Sequence, residues 1–222
     1  MTAQLPSQRI LVQSPPEIFY PDSDGQPMSD NTLQFAWIVK LKEGCEALFQ
    51  DRSDVFVAGD LLWYPIAGDN KTCRAPDVMV VVGRPKGYRG SYKQWLEDNL
   101  APQVVFEILS PTNTLSEMAL KWQFYNRFGV EEYYLYDPEA NDLTGWHRSG
   151  SELAVIEVLE GWMSPRLGIR FVLAEPELEV LRPDGQRFLS YVELMQQRDE
   201  LEQERDRLAA KLQELGIDPT QL

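Results

Sequence analysis

The chain has 222 residues, 43% of them apolar and 25% charged, with two cysteines and one histidine. That is ample for a packed core. It leaves too few Cys and His for a disulfide framework, a four-thiolate zinc site or a Ser-His-Asp triad. The net charge of −14 argues against a nucleic-acid partner for the body as a whole.

Residues 1–28 read as an irregular arm, because Pro15, Pro16, Pro21 and Pro27 break any helix. No apolar run in MTAQLPSQRI suggests a signal peptide, and no apolar run in the chain is long enough to span a bilayer. A cytoplasmic protein is therefore expected. A helix is predicted from Ser29 or Asp30, either of which can cap it, with an apolar face of Leu33, Trp37, Leu41, Ala47 and Leu48. The period then changes to that of strands. Residues 55–65 (VFVAGDLLWYP), 77–82 (DVMVVV) and 104–109 (VVFEIL) predict three strands. The last two are apolar almost throughout, as strands covered on both faces are. Between them, 83–102 reads as a long insertion with a short helix near 92–99.

Thr114, with Glu117 three residues on, signals a helix start, and Gly129 marks its end. Residues 131–137 (EEYYLYD) predict a fourth strand, 141–148 and 152–159 a hairpin, and 169–173 and 178–181 two short strands. The main domain is expected over 29–189. From 190 to 222 the chain reads as a helical tail in which Leu194, Leu201, Leu208 and Leu215 recur every seven residues. Their companions Tyr191, Arg198, Arg205 and Leu212 include two charges. Two readings of the tail stay open, a dimerising coiled coil or an amphipathic helix on its own domain.

The charge is uneven. Residues 71–93 hold six bases (Lys71, Arg74, Arg84, Lys86, Arg89 and Lys93) against the single acid Asp77, whereas 131–184 hold twelve acids against four bases. A basic loop region thus sits on an acidic body, either as a phosphate-binding patch or as a solvated loop.

Three residues stand out as candidates for chemistry. Asp77 follows Pro76 at the head of one apolar strand, and Glu107 lies inside the next, flanked by apolar residues. A carboxylate there needs a partner or a metal. If the strands pair, their ends bring the two carboxylates together, and a hard divalent ion such as Mg²⁺ or Mn²⁺ answers the repulsion. Lys121 lies on a helical face with Met118, Trp122 and Tyr125. It either snorkels to water or points at the carboxylate pair.

Pro76-Asp77, Phe106-Glu107-Ile108-Leu109-Ser110-Pro111, Lys121, Tyr125, Gly129-Val130-Glu131-Glu132-Tyr133 and Tyr136-Asp137-Pro138 occur in order over about 54–161. This arrangement resembles the Uma-type restriction endonucleases, a family within the PD-(D/E)XK nuclease superfamily. The resemblance implies an α/β fold: a restriction endonuclease-like core of mixed sheet with flanking helices, here with the helical tail appended. It implies one Mg²⁺ (or Mn²⁺) site with Asp77 and Glu107 as ligands and the backbone carbonyl of Ile108 as a third. Lys121 takes the place of the lysine that the superfamily carries two residues after the glutamate, where this chain has Leu109. The implied activity is hydrolysis of DNA phosphodiesters, with Lys71, Arg74, Arg84, Lys86 and Arg89 holding phosphates. The superfamily's first-helix glutamate corresponds to Glu43 or Glu46, neither fixed by a motif. Asp60 is a further candidate acid, and Ser110 either bonds a site carboxylate or caps the turn. The rival function is a degenerate nuclease fold that binds DNA or a protein without cutting. A third reading makes the tail helix of an interaction module the working part. A homodimer without membrane contact is expected.

Overall fold

The computed structural model describes residues 18–25 and 27–215; residues 1–17 of the expected arm and 216–222 of the expected tail lie outside them. A six-stranded mixed sheet, ordered β1-β3-β5-β6-β7-β8, forms the centre. Its strands are β1 (Val55–Gly59), β3 (Val78–Val82), β5 (Val104–Ile108), β6 (Glu132–Asp137), β7 (Asp142–Ser149) and β8 (Glu152–Val155). All neighbours are antiparallel except β5 and β6, which run parallel and are joined through the helix α2 (Leu115–Arg127). A parallel neighbour requires such a crossover.

Alternation along the strands sorts the core into two layers. Val55, Val57, Val78, Val80, Val104, Phe106 and Ile108 pack with Trp37, Ile38, Leu41 and Cys45 of α1 (Thr32–Leu48). Phe56, Met79, Val81 and Val105 face the other way, toward Phe124 and Tyr125 of α2. Two small sheets complete the body: β2 (Trp63–Tyr64) with β4 (Tyr92–Lys93), and β9 (Arg170–Leu173) with β10 (Leu178–Leu181). The long helix α3 (Tyr191–Glu214) follows, opened by a complete Ser190–Glu193 capping box.

Four local expectations need correction. The cap of α1 is Asn31, whose side chain accepts from Gln34 N, whereas Asp30 is engaged by Ser110 and Thr112. Leu33 lies off the buried face at 40% exposure, and Ile38 and Cys45 complete that face instead. The segment 55–65 is not one strand. Asp60 adopts a left-handed φ of 47°, and its N–H donates to the carbonyls of Pro76 and Asp77. That turn diverts Trp63–Tyr64 from the main sheet to pair with β4. The helix expected near 92–99 reduces to a 3-10 turn over Gln94–Leu96, since Asp98 and Asn99 both take left-handed backbone. The end of α2 follows expectation: Phe128 closes it and Gly129 takes φ 89°.

Candidate functional site

The register of the sheet builds the site. In the antiparallel β3–β5 pair, Val78 is opposite Phe106, so the next step sets Asp77 opposite Glu107. Alternation puts both carboxylates on the α2 layer. Asp77 Oδ2 accepts the Ile108 N–H at 2.6 Å. Glu107, 1% exposed, is held from α2 by two side chains one turn apart. Lys121 Nζ donates to Oε2 at 2.7 Å and the Tyr125 hydroxyl donates to Oε1. Lys121 thus turns inward and does not snorkel away.

The electrostatics follow from the burial. Burial, then the like charge of Glu107, holds the Asp77 carboxyl well above the usual carboxylate range. For Lys121, burial works to lower the pKa, but the charges of Glu107 and Asp77 override it and push the ammonium above its ordinary value. Burial and the Glu107 charge keep the Tyr125 hydroxyl protonated, as a donor. Burial and the Asp24 charge also raise Asp60.

Asp77 and Lys121 open onto a cleft of about 510 Å³, and Asp60, Lys71, Arg74 and Gln34 also line it. Lys71 and Arg74 form no ion pair among the described residues, and the Arg74 guanidinium rests on the ring of Phe124, 5.6 Å from its centre. The other basic candidates are engaged elsewhere. Arg84 pairs with Glu97 and Asp98, Arg89 with Glu97, and Lys86 with Glu46 at 3.2 Å. None of the three lines this cleft.

Ser110 bonds a cleft carboxylate, though neither Asp77 nor Glu107: its hydroxyl donates to Asp30 at 2.6 Å. Hydrogen bonds from Ser110 and then Thr112 keep Asp30 below the usual carboxylate range. Glu43 and Glu46 pair with Lys42 and Lys86. They lie nine and twelve residues beyond Gln34 in the helix, about 14 and 18 Å along its axis.

The α1 residue that does reach the site is Gln34, which the sequence analysis did not single out. It is buried, and its Nε2 donates to the Ile108 carbonyl at 2.8 Å. Its Oε1 accepts from Asp30 N at 2.8 Å. A glutamine on the buried face of a predicted helix was the one available signal. Gln34→Leu leaves the Ile108 carbonyl and the Asp30 N–H unpaired, a loss of about 1–3 kcal/mol. We expect a fall of several degrees in the thermal midpoint by circular dichroism; an unchanged midpoint would show that this bond does not hold β5 in solution. A third buried acid, besides Asp77 and Glu107, was also missed. Glu132, fully enclosed, accepts from Tyr134, Ser164 and the Arg166 N–H. It ties β6 to the loop beneath and lies off the cleft.

The donor set fits a hard divalent cation. Asp77, Glu107 and the Ile108 carbonyl supply oxygens only. The repulsion that raises Asp77 is what a cation between the carboxylates would offset. The carbonyl has a second lone pair beside the one Gln34 uses. Among the described residues no group of three or more His, Cys, Asp or Glu could hold a metal by itself. Two carboxylates, a carbonyl and retained waters suit Mg²⁺. None of the described helices is long and apolar enough to cross a membrane.

Residues 26–174, which enclose Asp77, Glu107 and Lys121, match the profile of the family Uma2, "Putative restriction endonuclease". No curated protein matches the chain. Among solved structures the chain is similar to "a putative nuclease belonging to DUF820" from Anabaena variabilis ATCC 29413. The two are 15% identical, with 62% of this chain and 75% of that one covered and a TM-score of 0.47.

Proposed function

The chain belongs to the Uma2 family of nucleases, and we propose that it is a Mg²⁺- or Mn²⁺-dependent endonuclease that hydrolyses DNA phosphodiester bonds. The observation that carries the reading is the facing pair Asp77 and Glu107 with Lys121 directed onto it at a cleft. Asp77, Glu107 and the Ile108 carbonyl would hold the ion. When bound, the ion supplies Lewis-acid polarisation of a phosphate oxygen and an acidified water.

The chain's own groups do the rest. Tyr125 and Lys121 fix the two oxygens of Glu107, so the carboxylate keeps one orientation. With a phosphodiester in the cleft, the Lys121 ammonium holds a non-bridging oxygen or the attacking water and offsets the charge that develops in the transition state. Lys71 and Arg74 hold flanking phosphates along the wall. Arg84, Lys86 and Arg89, committed to acids of this chain, contribute little to that contact. The acidic body confines DNA contact to this strip, and so few phosphate contacts give the affinity a shallow salt dependence.

Calorimetric titration of Mg²⁺ and Mn²⁺ tests the reading, with Asp77→Ala and Glu107→Ala alongside the wild type. Plasmid nicking with the same proteins and Lys121→Ala follows. Metal binding lost in both carboxylate variants is expected, with nicking reduced about 10²–10⁴-fold or more in all three. Leu109, where the superfamily usually has its lysine, favours the second reading, a nuclease fold that binds DNA without cutting. Wild type that shifts DNA in a gel but binds neither metal would establish that second reading and overturn the first.

A further inference from the structure

α3 is a 24-residue helix with no buried residue. Its first turn is tied to the body by Glu193, 3.9 Å from Lys40. Beyond it Leu194, Leu201, Leu208 and Leu215 stand 50–75% exposed in a single row. A shallow groove of about 350 Å³ lies along the first half of that row, lined by Leu194, Gln197, Arg198, Leu201, Glu202 and Arg205. An isolated helix of this kind is marginal in water and gains its stability from packing.

The charges choose the partner's direction. In a parallel pair of identical helices, Arg198 would face Arg198 and Arg205 would face Arg205 in the seam, with two like charges desolvated in each layer. Antiparallel pairing with Tyr191 opposite Leu215 removes both clashes. Leu194 then meets Leu212, Arg198 meets Leu208, and Leu201 meets Arg205, so every companion position faces a leucine. Each Arg205 also lies level with Leu201 of the other helix, one residue from its Glu202, an acid within reach of the guanidinium. We propose that α3 is a self-association surface and that its occupant is the α3 of a second copy, antiparallel, with the two-fold axis at Gln203. The helix is about 36 Å long, so such a pair carries the two bodies at its opposite ends.

Light scattering on the full chain tests association, and spin-label distances test direction. Gln196 and Gln203 are exposed and lie one heptad apart, off the leucine row. Each is replaced singly by cysteine in a Cys73→Ser background. In the antiparallel pair the labels at 203 are level, whereas those at 196 are offset by fourteen residues, about 21 Å along the axis. The Gln196→Cys distance is therefore expected to exceed the Gln203→Cys distance clearly. Equal distances would establish the parallel pair, and a monomer at tens of micromolar would remove the surface altogether; either overturns the proposal. Leu201→Asp with Leu208→Asp is expected to give a monomer with an unchanged near-ultraviolet spectrum. A dimer that survives both substitutions would also overturn it. None of these readouts depends on nuclease activity.

Discussion

Lys121→Met is expected to lower the unfolding free energy by about 3 kcal/mol at neutral pH, the scale for removing one partner of a buried pair, and to abolish nicking. The lysine lies 2.7 Å from a carboxylate whose side chain is only 2% exposed, and its own side chain is 17% exposed. Without the ammonium, Glu107 keeps only the Tyr125 hydroxyl on its side chain, and Asp77 loses a neighbour that lowers its pKa. Two buried carboxylates then face each other with no charge between them. The sign with pH follows. The Lys121 pKa is raised, so its own contribution is complete at every pH below its ordinary value of 10.5. The loss in the variant therefore varies at lower pH through Asp77, whose carboxyl the ammonium helps to ionise. It is greatest where Asp77 is ionised and shrinks as acid protonates that carboxyl. Urea unfolding in EDTA at pH 7.5 and 5.5 checks this. Glu107→Gln in the same chain is expected to restore most of the stability and none of the nicking. A loss equal at both pH values and undiminished beside Glu107→Gln would mean that Lys121 does not act through its charge on the carboxylates.

The parts of the site that were legible in the sequence are those fixed by local pattern. A glutamate inside VVFEIL has one physical reading, an acid enclosed by apolar neighbours, and the structure encloses it. Asp77 heads an apolar run that pairs with it, and antiparallel register does the rest. Lys121 and Tyr125 are four apart in a helix whose start and stop were written in Thr114 and Gly129. The family's order of motifs added the link between these pieces.

What was not legible depends on which element passes over which. Nothing in residues 29–48 shows that the amino-terminal end of α1 lies over the end of β5, so Gln34 went unnoticed and Glu43 and Glu46 were favoured by type alone. Asp60 sits inside an unbroken strand-like run, and only the carbonyls of Pro76 and Asp77 that receive its N–H reveal the turn. The basic loop read as one patch because its charges are close in sequence. Glu97 and Asp98, a few residues on, neutralise Arg84 and Arg89 in space and leave Lys71 and Arg74 at the cleft.

Asp77→Asn is expected to stabilise the metal-free protein while removing both metal binding and nicking. The asparagine side-chain carbonyl can still accept the Ile108 N–H, so the link between β3 and β5 survives. The substitution removes a charge that burial and Glu107 both oppose. A gain of about 1 kcal/mol is the usual scale for relieving such a site. In EDTA the wild-type carboxyl holds its proton to higher pH folded than unfolded. Wild-type stability therefore rises as pH falls from the raised folded pKa toward the ordinary 3.8. The variant lacks that part of the slope, so its advantage grows as pH rises above 3.8 toward the raised folded pKa. With Mg²⁺ at a hundred times its dissociation constant, wild type gains about 2.7 kcal/mol by mass action and the variant gains nothing. The order of stability then reverses. The crossing separates a carboxylate kept for a cation from one kept for structure. If Asp77→Asn is the less stable protein in EDTA, Lys121 already balances both acids and the pair is an internal ion cluster. If it is the more stable one and Mg²⁺ reverses the order, the strain at Asp77 belongs to the ion that relieves it.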